Sequence, residues 1–441
     1  MQRNVYSVLI GAIAPLAWAL LGYRALRTRT RWDVLGRERF GGGKGTSGDA
    51  RPVWVHAVSL GETRAAQPLI QALLAAGHQV LLTHMTPTGR AAGAELYAKA
   101  LADGRLRQCW FPYDFAWVWQ RFLRNHRPAC LVLIEREVWP NMIATCRQQS
   151  VPVALVSARL SAAGLGRARR LGQVLLDAYG GLSLVTAQSD ADADRLAAVG
   201  VARPEVGGNL KFDVQVDTTQ VAAGRAWRMR VGRPVIVLAS TREGEDDAFA
   251  RAWKTLNAAT RANTGTNARV GAGSRPLLVW VPRHPQRFDE VAATLHKHGL
   301  AVQRRQVAPG ILPTPGIDVY LGDTLGEMAF YLGAADVTLM GGSFGDFGSQ
   351  NFLEPCAAGS TVIVGPSIHN FQEAATDALA NGVIDQVDTP EAAWAMAQQQ
   401  LAAAPAWRAA RQARTRDWLN QHQGATRRIM SALSRMIERQ R

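Results

Sequence analysis

Short, almost purely apolar runs separated by helical stretches constrain this chain more than any other feature. Val53–Val58, Gln79–Thr83, Cys130–Ile134 and Pro152–Val156 are apolar at nearly every position. A strand built from such a run has no face to give to water and reads as the interior of a parallel sheet. Helical stretches such as Ala65–Ala76 and Pro87–Ala102 lie between them, and Leu182–Ala187 and Val206–Leu210 continue the series. A second series begins at Pro234, with Val235–Ala239, Leu277–Val281, Val319–Leu321, Val337–Met340 and Thr361–Val364 as its strands. The polar segment Asp213–Gly224 between the two reads as a hinge. A chain of 441 residues exceeds one ordinary core, and two domains of roughly 200 residues each are expected. The predicted fold is α/β, with two doubly wound, Rossmann-like domains facing across a cleft. Right-handed crossovers put ligands at the carboxyl ends of the strands.

Val5–Tyr23 is apolar except for Ser7, its glycines and Pro15, and it is just long enough to span a bilayer. Arg24, Arg27, Arg29 and Arg31 follow it and only Arg3 precedes it. By the positive-inside rule the rest of the chain is then cytoplasmic. A cleaved signal peptide is the rival reading, but its charge belongs before the apolar stretch; Pro15 also permits a bent, interfacial segment. The expected division is an anchor with its basic flank at 1–31, a first domain at 32–215 and a second at 216–441, the last including a basic C-terminal helix. The formal charge of +15 restricts partners to anions: nucleic acid, acidic lipid or phosphorylated substrates. No basic-aromatic stripe or nucleic-acid module is present, so nucleic acid is not an expected partner. The four cysteines, Cys109, Cys130, Cys146 and Cys356, have no C-x-x-C spacing and read as reduced thiols. Gly41–Gly45 reads as a linker without a packed role, and 257–274 as a helix end with a loose loop. The stretch Trp407–Arg441 is helical by pattern, with Trp418, Ile429, Leu433, Met436 and Ile437 as an apolar stripe. It reads as a surface helix packed on the body, with membrane contact through its arginines as the alternative.

The chemistry-bearing residues gather where strands end. Glu62 follows the first run in Ser59-Leu60-Gly61-Glu62-Thr63. There the amides and dipole of a helix start favour an ionised carboxylate, which acts either as a general base or as a cap for the first turn. Glu135 and Glu137 flank Arg136 after another strand, and they either meet a substrate or pair with arginine. Lys211 stands past the last strand of the first series, either solvated or neutralising an anion. In the second half, Ser240 and Thr241 follow one strand, and Arg283 and His284 the next, a pairing suited to phosphate. Met328, Ser343, Asn351 and Glu354 occupy later strand exits, with Glu354 suited to a ribose. No H-x-x-H, D-x-D or cysteine cluster occurs in these turns, so no metal ligand is expected.

Six motifs taken in order resemble those of the 3-deoxy-D-manno-octulosonic acid (Kdo) transferases. They are Ser59–Glu62, Glu135–Asn141, Asn209–Asp213, Pro282–Pro285, Asn351–Pro355 and Gly365–Glu373. The resemblance covers nearly the whole chain, including the apolar N-terminus. It implies a GT-B glycosyltransferase on the cytoplasmic face of the bacterial inner membrane, among anionic lipids. It further implies Kdo transfer from CMP-Kdo to the lipid A precursor lipid IVA, with no cofactor and no metal. The family's catalytic glutamate maps onto Glu62, its cleft lysine onto Lys211 and its acidic pair onto Glu135 and Glu137. Nucleotide contacts would fall on Ser240, Thr241, Arg283, Met328, Ser343, Asn351 and Glu354. Arg136 and Ser349-Gln350 depart from the family pattern. A GT-B enzyme using a UDP-sugar to build another lipid-linked saccharide is the competing enzymatic reading. A non-catalytic membrane protein binding nucleotides or anionic lipids is the non-enzymatic one, and it gives Glu62 and Glu137 nothing to do.

Overall fold

The computed structural model describes residues 1–28, 32–45, 51–263, 275–307 and 311–438. Arg29 and Arg31 of the basic flank, the 264–274 part of the expected loop and the end of the basic C-terminal stretch lie outside them. The chain divides into two compact units, Met1–Asp213 with His422–Arg441, and Val214–Gln421.

Among the described residues each unit is built on one seven-stranded, all-parallel sheet. The first contains β1 (Val53–His56), β2 (Val80–His84), β3 (Leu106–Trp110), β4 (Cys130–Ile134), β5 (Val153–Ala158), β6 (Leu184–Ala187) and β7 (Glu205–Val206), in the order β3-β2-β1-β4-β5-β6-β7. The second contains β8 (Val235–Thr241), β9 (Leu277–Pro282), β10 (Val302–Arg304), β11 (Val319–Leu321), β12 (Val337–Met340), β13 (Thr361–Val364) and β14 (Ile384–Gln386), in the order β10-β11-β9-β8-β12-β13-β14. In each, the order of winding reverses between two central neighbours, β1 with β4 and β8 with β12, and the chain leaves these strands in opposite directions. A doubly wound sheet opens its ligand crevice at that reversal. The central strands β1, β2, β4 and β5 are buried throughout, as their sequences require.

The expected Ala65–Ala76 helix is Gln67–Ala75, and a separate short helix, Leu60–Ala65, precedes it. Pro68 has no amide hydrogen to continue the short helix, and it is accommodated only in the opening turn of a new one. Two expectations fail on packing. Gly41 is the left-handed end of a 3-10 turn at φ 70°, and a Cβ there would lie 2.4 Å from the Val118 carbonyl oxygen. The glycine stretch therefore begins as a buried joint against the helix Ala116–His126, because only glycine allows this approach.

The C-terminal basic segment is also misassigned by sequence. Gly424, at φ 89°, splits it into helices Pro405–His422 and Ala425–Glu438, so Trp418 and Ile429 do not share one stripe. The second of these helices belongs to the first unit. Ala425, Ile429, Leu433 and Ile437 are packed with Val55, Leu82, Val132 and Val156. Asp213 secures its start by accepting from the Gly424 amide at 2.7 Å and from the Thr426 amide, giving an acidic partner to a helix N-terminus. Leu433→Ala should lower the unfolding free energy by about 2–4 kcal/mol, read by chemical denaturation. A loss below about 0.5 kcal/mol, the scale of a surface change, would mean that this helix does not complete the core.

Candidate active site

The first unit's crevice has β1 on one side and β4 on the other. Leaving β1, the chain enters a tight helix start in which the Ser59 hydroxyl accepts from the Glu62 amide at 3.4 Å. The Glu62 carboxylate returns to the Val58 amide at 2.6 Å. This reciprocal cap fixes the carboxylate at the strand exit, so capping and availability for chemistry coexist in one side chain. The expectation of a readily ionised Glu62 does not hold. Burial, then the negative field of Glu135, raise its pKa from 4.5 to about 8, against the opposing Val58 hydrogen bond. Desolvation and like charge outweigh one amide and a short helix.

Leaving β4, Glu135 adopts a left-handed backbone at φ 62°. Its amide donates to Val156 at 3.1 Å and its carbonyl accepts from the Arg159 amide at 3.0 Å. These bonds hold a conformation that costs a non-glycine residue about 1 kcal/mol or more, and they turn the side chain toward Lys211. The ammonium of Lys211 lies 2.8 Å from Oε1 of Glu135. Lys211 arrives from beyond β7 because the segment after that strand crosses back over β5, where Ser157 Oγ accepts from the Leu210 amide at 3.2 Å. Arg136 is exposed, and the expected alternative of an arginine pair gives way to Lys211. Glu137 accepts from the Trp139 indole at 2.7 Å, and burial raises its pKa.

His56, at the end of β1, is a site residue that sequence reasoning missed. It is fully buried, stacked on Phe111 with centroids 3.7 Å apart, with Nδ1 against Thr83 Oγ1 at 2.9 Å. Burial lowers its pKa to about 3, so the ring is neutral where Nε2 approaches Glu137 Oε2 at 3.9 Å. A histidine inside an otherwise apolar strand was the available signal. Glu62, Glu135, Glu137, Lys211 and His56 therefore form one acid-rich group with the Lys211 ammonium against Glu135.

In the second unit, Ser240 stands at φ 60° on a bulge ending β8. Gly341, leaving β12, passes so close that a Cβ would lie 2.4 Å from the Ser240 carbonyl oxygen. Glu245, which sequence reasoning missed, joins the two exits: it accepts from the amides of Arg242 at 2.8 Å, Gly342 at 2.8 Å and Phe344 at 3.0 Å. Those amides already hold a carboxylate and are closed to another anion. Nothing local in the sequence links residues a hundred positions apart. Thr241 and Ser343 are buried. Thr241 donates to Asp246 at 2.6 Å, and Ser343 donates to the Met340 carbonyl and accepts from the Gly365 amide at 2.7 Å. Both hydroxyls brace the turns. Arg283, His284, Met328, Asn351 and Glu354 are half-buried. Asn351 donates to Glu354 at 3.0 Å, and His284 has its pKa lowered by burial and then by Arg242 and Arg283.

The raised Glu62 pKa has a consequence for stability. The native state holds this proton between pH 4.5 and about 8 while the unfolded state releases it, so the contribution is full below that window and is lost as pH rises through it. Glu62→Gln retains a cap acceptor and should flatten the decline of Tm between pH 5 and 8. An unchanged pH slope in the variant would mean that Glu62 ionises normally.

The profile of the family 3-Deoxy-D-manno-octulosonic-acid transferase (kdotransferase) matches residues 36–214. The 3-deoxy-D-manno-octulosonic acid transferase of Bordetella pertussis is 50% identical over 437 residues, covering 98% of this chain and 99% of that one. The enzyme of the same name from Haemophilus influenzae is 29% identical over 380 residues, 85% and 84% of the two chains. Among solved structures, a glycosyltransferase from Rickettsia africae shares the fold at 11% identity and a TM-score of 0.52, covering 88% of this chain and 98% of its own. Two doubly wound units of the GT-B type, with these relatives at nearly full length, assign the chain to the 3-deoxy-D-manno-octulosonic acid transferase family of glycosyltransferases.

Proposed function

We propose that this Kdo transferase moves Kdo from CMP-Kdo to lipid IVA with inversion and without a metal, at the cytoplasmic face of the bacterial inner membrane. The observation that carries the reading is Glu62 at the β1 exit, with a pKa near 8 and with the Glu135–Lys211 pair from the β4 side beside it. In its ionised form Glu62 takes the proton of an acceptor hydroxyl as that oxygen attacks the Kdo anomeric carbon. The bond from that carbon to the CMP phosphate oxygen breaks, and CMP departs with its electron pair. A pKa near 8 makes Glu62 a stronger base than an ordinary carboxylate, and at neutral pH the deprotonated fraction that remains is the one that reacts.

Lys211 and Glu135 position the acceptor, and Glu137, fixed by Trp139, contributes a further acceptor for hydroxyl hydrogens. The second unit handles the donor. Arg283, with Ser240, His284, Met328, Asn351 and Glu354, meets the nucleotide and the charge that develops on its phosphate. Thr241 and Ser343 act through the turns they brace. Phosphorylated donor and acceptor, together with anionic lipid, account for the excess of positive charge.

Incubation of wild type and Glu62→Gln with CMP-Kdo and lipid IVA in EDTA, with products resolved by mass, tests the reading. Wild type should add Kdo, CMP and not UDP should inhibit it, and the variant should lose about 10²–10⁴-fold in rate with CMP binding unchanged. In wild type, kcat/KM should rise with pH toward a plateau above about 8, because the base works only when deprotonated. A Glu62→Gln enzyme with wild-type rate, or inhibition by UDP alone, would overturn the assignment.

A further inference from the structure

The apolar N-terminal helix Arg3–Arg27 is long and apolar enough to cross a membrane, yet one of its faces is bonded along its length to the first unit. Near its start, the Val174 amide donates to the Met1 carbonyl at 3.0 Å. One turn on, Tyr6 donates to Asp114 at 2.8 Å and Ser7 to Asn141 Oδ1 at 3.0 Å. Asp114 is buried and also accepts from the Trp119 indole at 2.8 Å and the Met142 amide at 2.8 Å. Ala14 is buried, and Trp18 packs on Phe40 and Tyr113 with centroids 5.5 and 5.4 Å away. Met1 and Trp18 are about 25 Å apart along a helix, close to the ~30 Å of a hydrocarbon core. A helix crossing the membrane cannot keep both points on one water-soluble sheet domain without drawing polar loops of that domain into lipid.

The opposite face is unpartnered and apolar. Val5, Val8, Leu9, Ile13, Leu16, Leu20, Tyr23 and Leu26 are exposed, Ile13 at 58% and Leu20 at 61%. Their spacing places them on one side of the helix. The apolar surface continues onto the body. Exposed Trp117 stacks on Phe40 at 6.3 Å, exposed Leu35 adjoins Val34, whose carbonyl accepts from Tyr113, and exposed Leu171 lies at the Met1 end. Exposed arginines border this surface: Arg24 and Arg27 on the helix, Arg121 and Arg124 beside Trp117, and Arg169 and Arg170 beside Leu171.

We propose that this helix lies in the plane of the membrane as part of the first unit's surface, its outer face sunk into one leaflet and the flanking arginines on anionic headgroups. An apolar stripe rimmed by arginine is the chemistry of an interfacial element, not of a span free of its domain. Leu35, Trp117 and Leu171 then enter the same leaflet. The inference rests on the membrane reading above but not on the reaction, and sidedness separates the two.

The four native cysteines are buried, so Gln2→Cys and Arg27→Cys, the latter at the headgroup-facing end of the helix, report their own exposure in the full chain to an impermeant maleimide. Inside-out inner-membrane vesicles and spheroplasts present opposite faces. Both positions should label in the inside-out vesicles and neither in spheroplasts. Labelling of position 2 only from the spheroplast side establishes a spanning helix and overturns the proposal. A second measurement uses fluorophores at Leu35, Ile13 and Leu20 in vesicles of phosphatidylethanolamine and phosphatidylglycerol. Shallow doxyl lipids should quench all three most strongly. Deep quenching at Ile13 with none at Leu35 also overturns it, as does a chain that does not float with the vesicles.

Discussion

Parallel pairing of β1 with β4 is the constraint on which the first unit's chemistry depends. Parallel neighbours direct both carboxyl ends to one edge of the sheet, and reversed winding carries the two following segments apart, leaving that edge open. Glu62 comes from one segment, and Glu135 and Glu137 from the other. Three carboxyl groups thus converge without being neighbours in sequence. Such a group survives only because Lys211 supplies a cation and because Glu62 gives up some of its acidity. Burial first, and then the same field that would destabilise three ionised carboxylates, makes one of them basic.

The second unit repeats the topology and solves its own problem differently. Where β8 and β12 end side by side, the free amides of two turns would attract an anion, and Glu245 already serves three of them. Backbone amides taken by Glu245 leave side chains, Arg283 among them, to meet the nucleotide in the proposed function. On the proposed function, this built-in carboxylate repels a phosphate that approaches too far and so limits how deeply a nucleotide enters.

What was legible in the sequence follows from what each residue contacts. Interior strands such as Cys130–Ile134 are buried on both faces, and their apolar runs announce them. The edge strands β3, β10 and β14 escaped notice because Arg107, Gln108, Gln303, Arg304, Asp385 and Gln386 give them the mixed character of strands with one open side. The positions of Glu62, Glu135 and Lys211 were legible because they stand where strands end. Their electrostatics were not, because the Glu62 pKa depends on burial and on Glu135, contributed by a distant segment. Gly41 looked loose for a similar reason: its tight neighbour, Val118, is far along the chain. The periodicity of Ile429, Leu433 and Ile437 revealed an apolar stripe but not which sheet it covers.

That last assignment bears on how the molecule is made. The sheet of the first unit emerges early in synthesis, but the helix Ala425–Glu438, which packs over β5 and β6, follows the entire second unit. At about 5–20 residues per second, the 211 positions between Asp213 and Gly424 leave that apolar surface uncovered for roughly 10–40 s. During this interval the nascent chain carries two apolar surfaces at once, an uncapped sheet and the exposed face of the N-terminal helix. The ribosome-bound intermediate therefore needs a chaperone or early contact with the bilayer far more than the finished enzyme does.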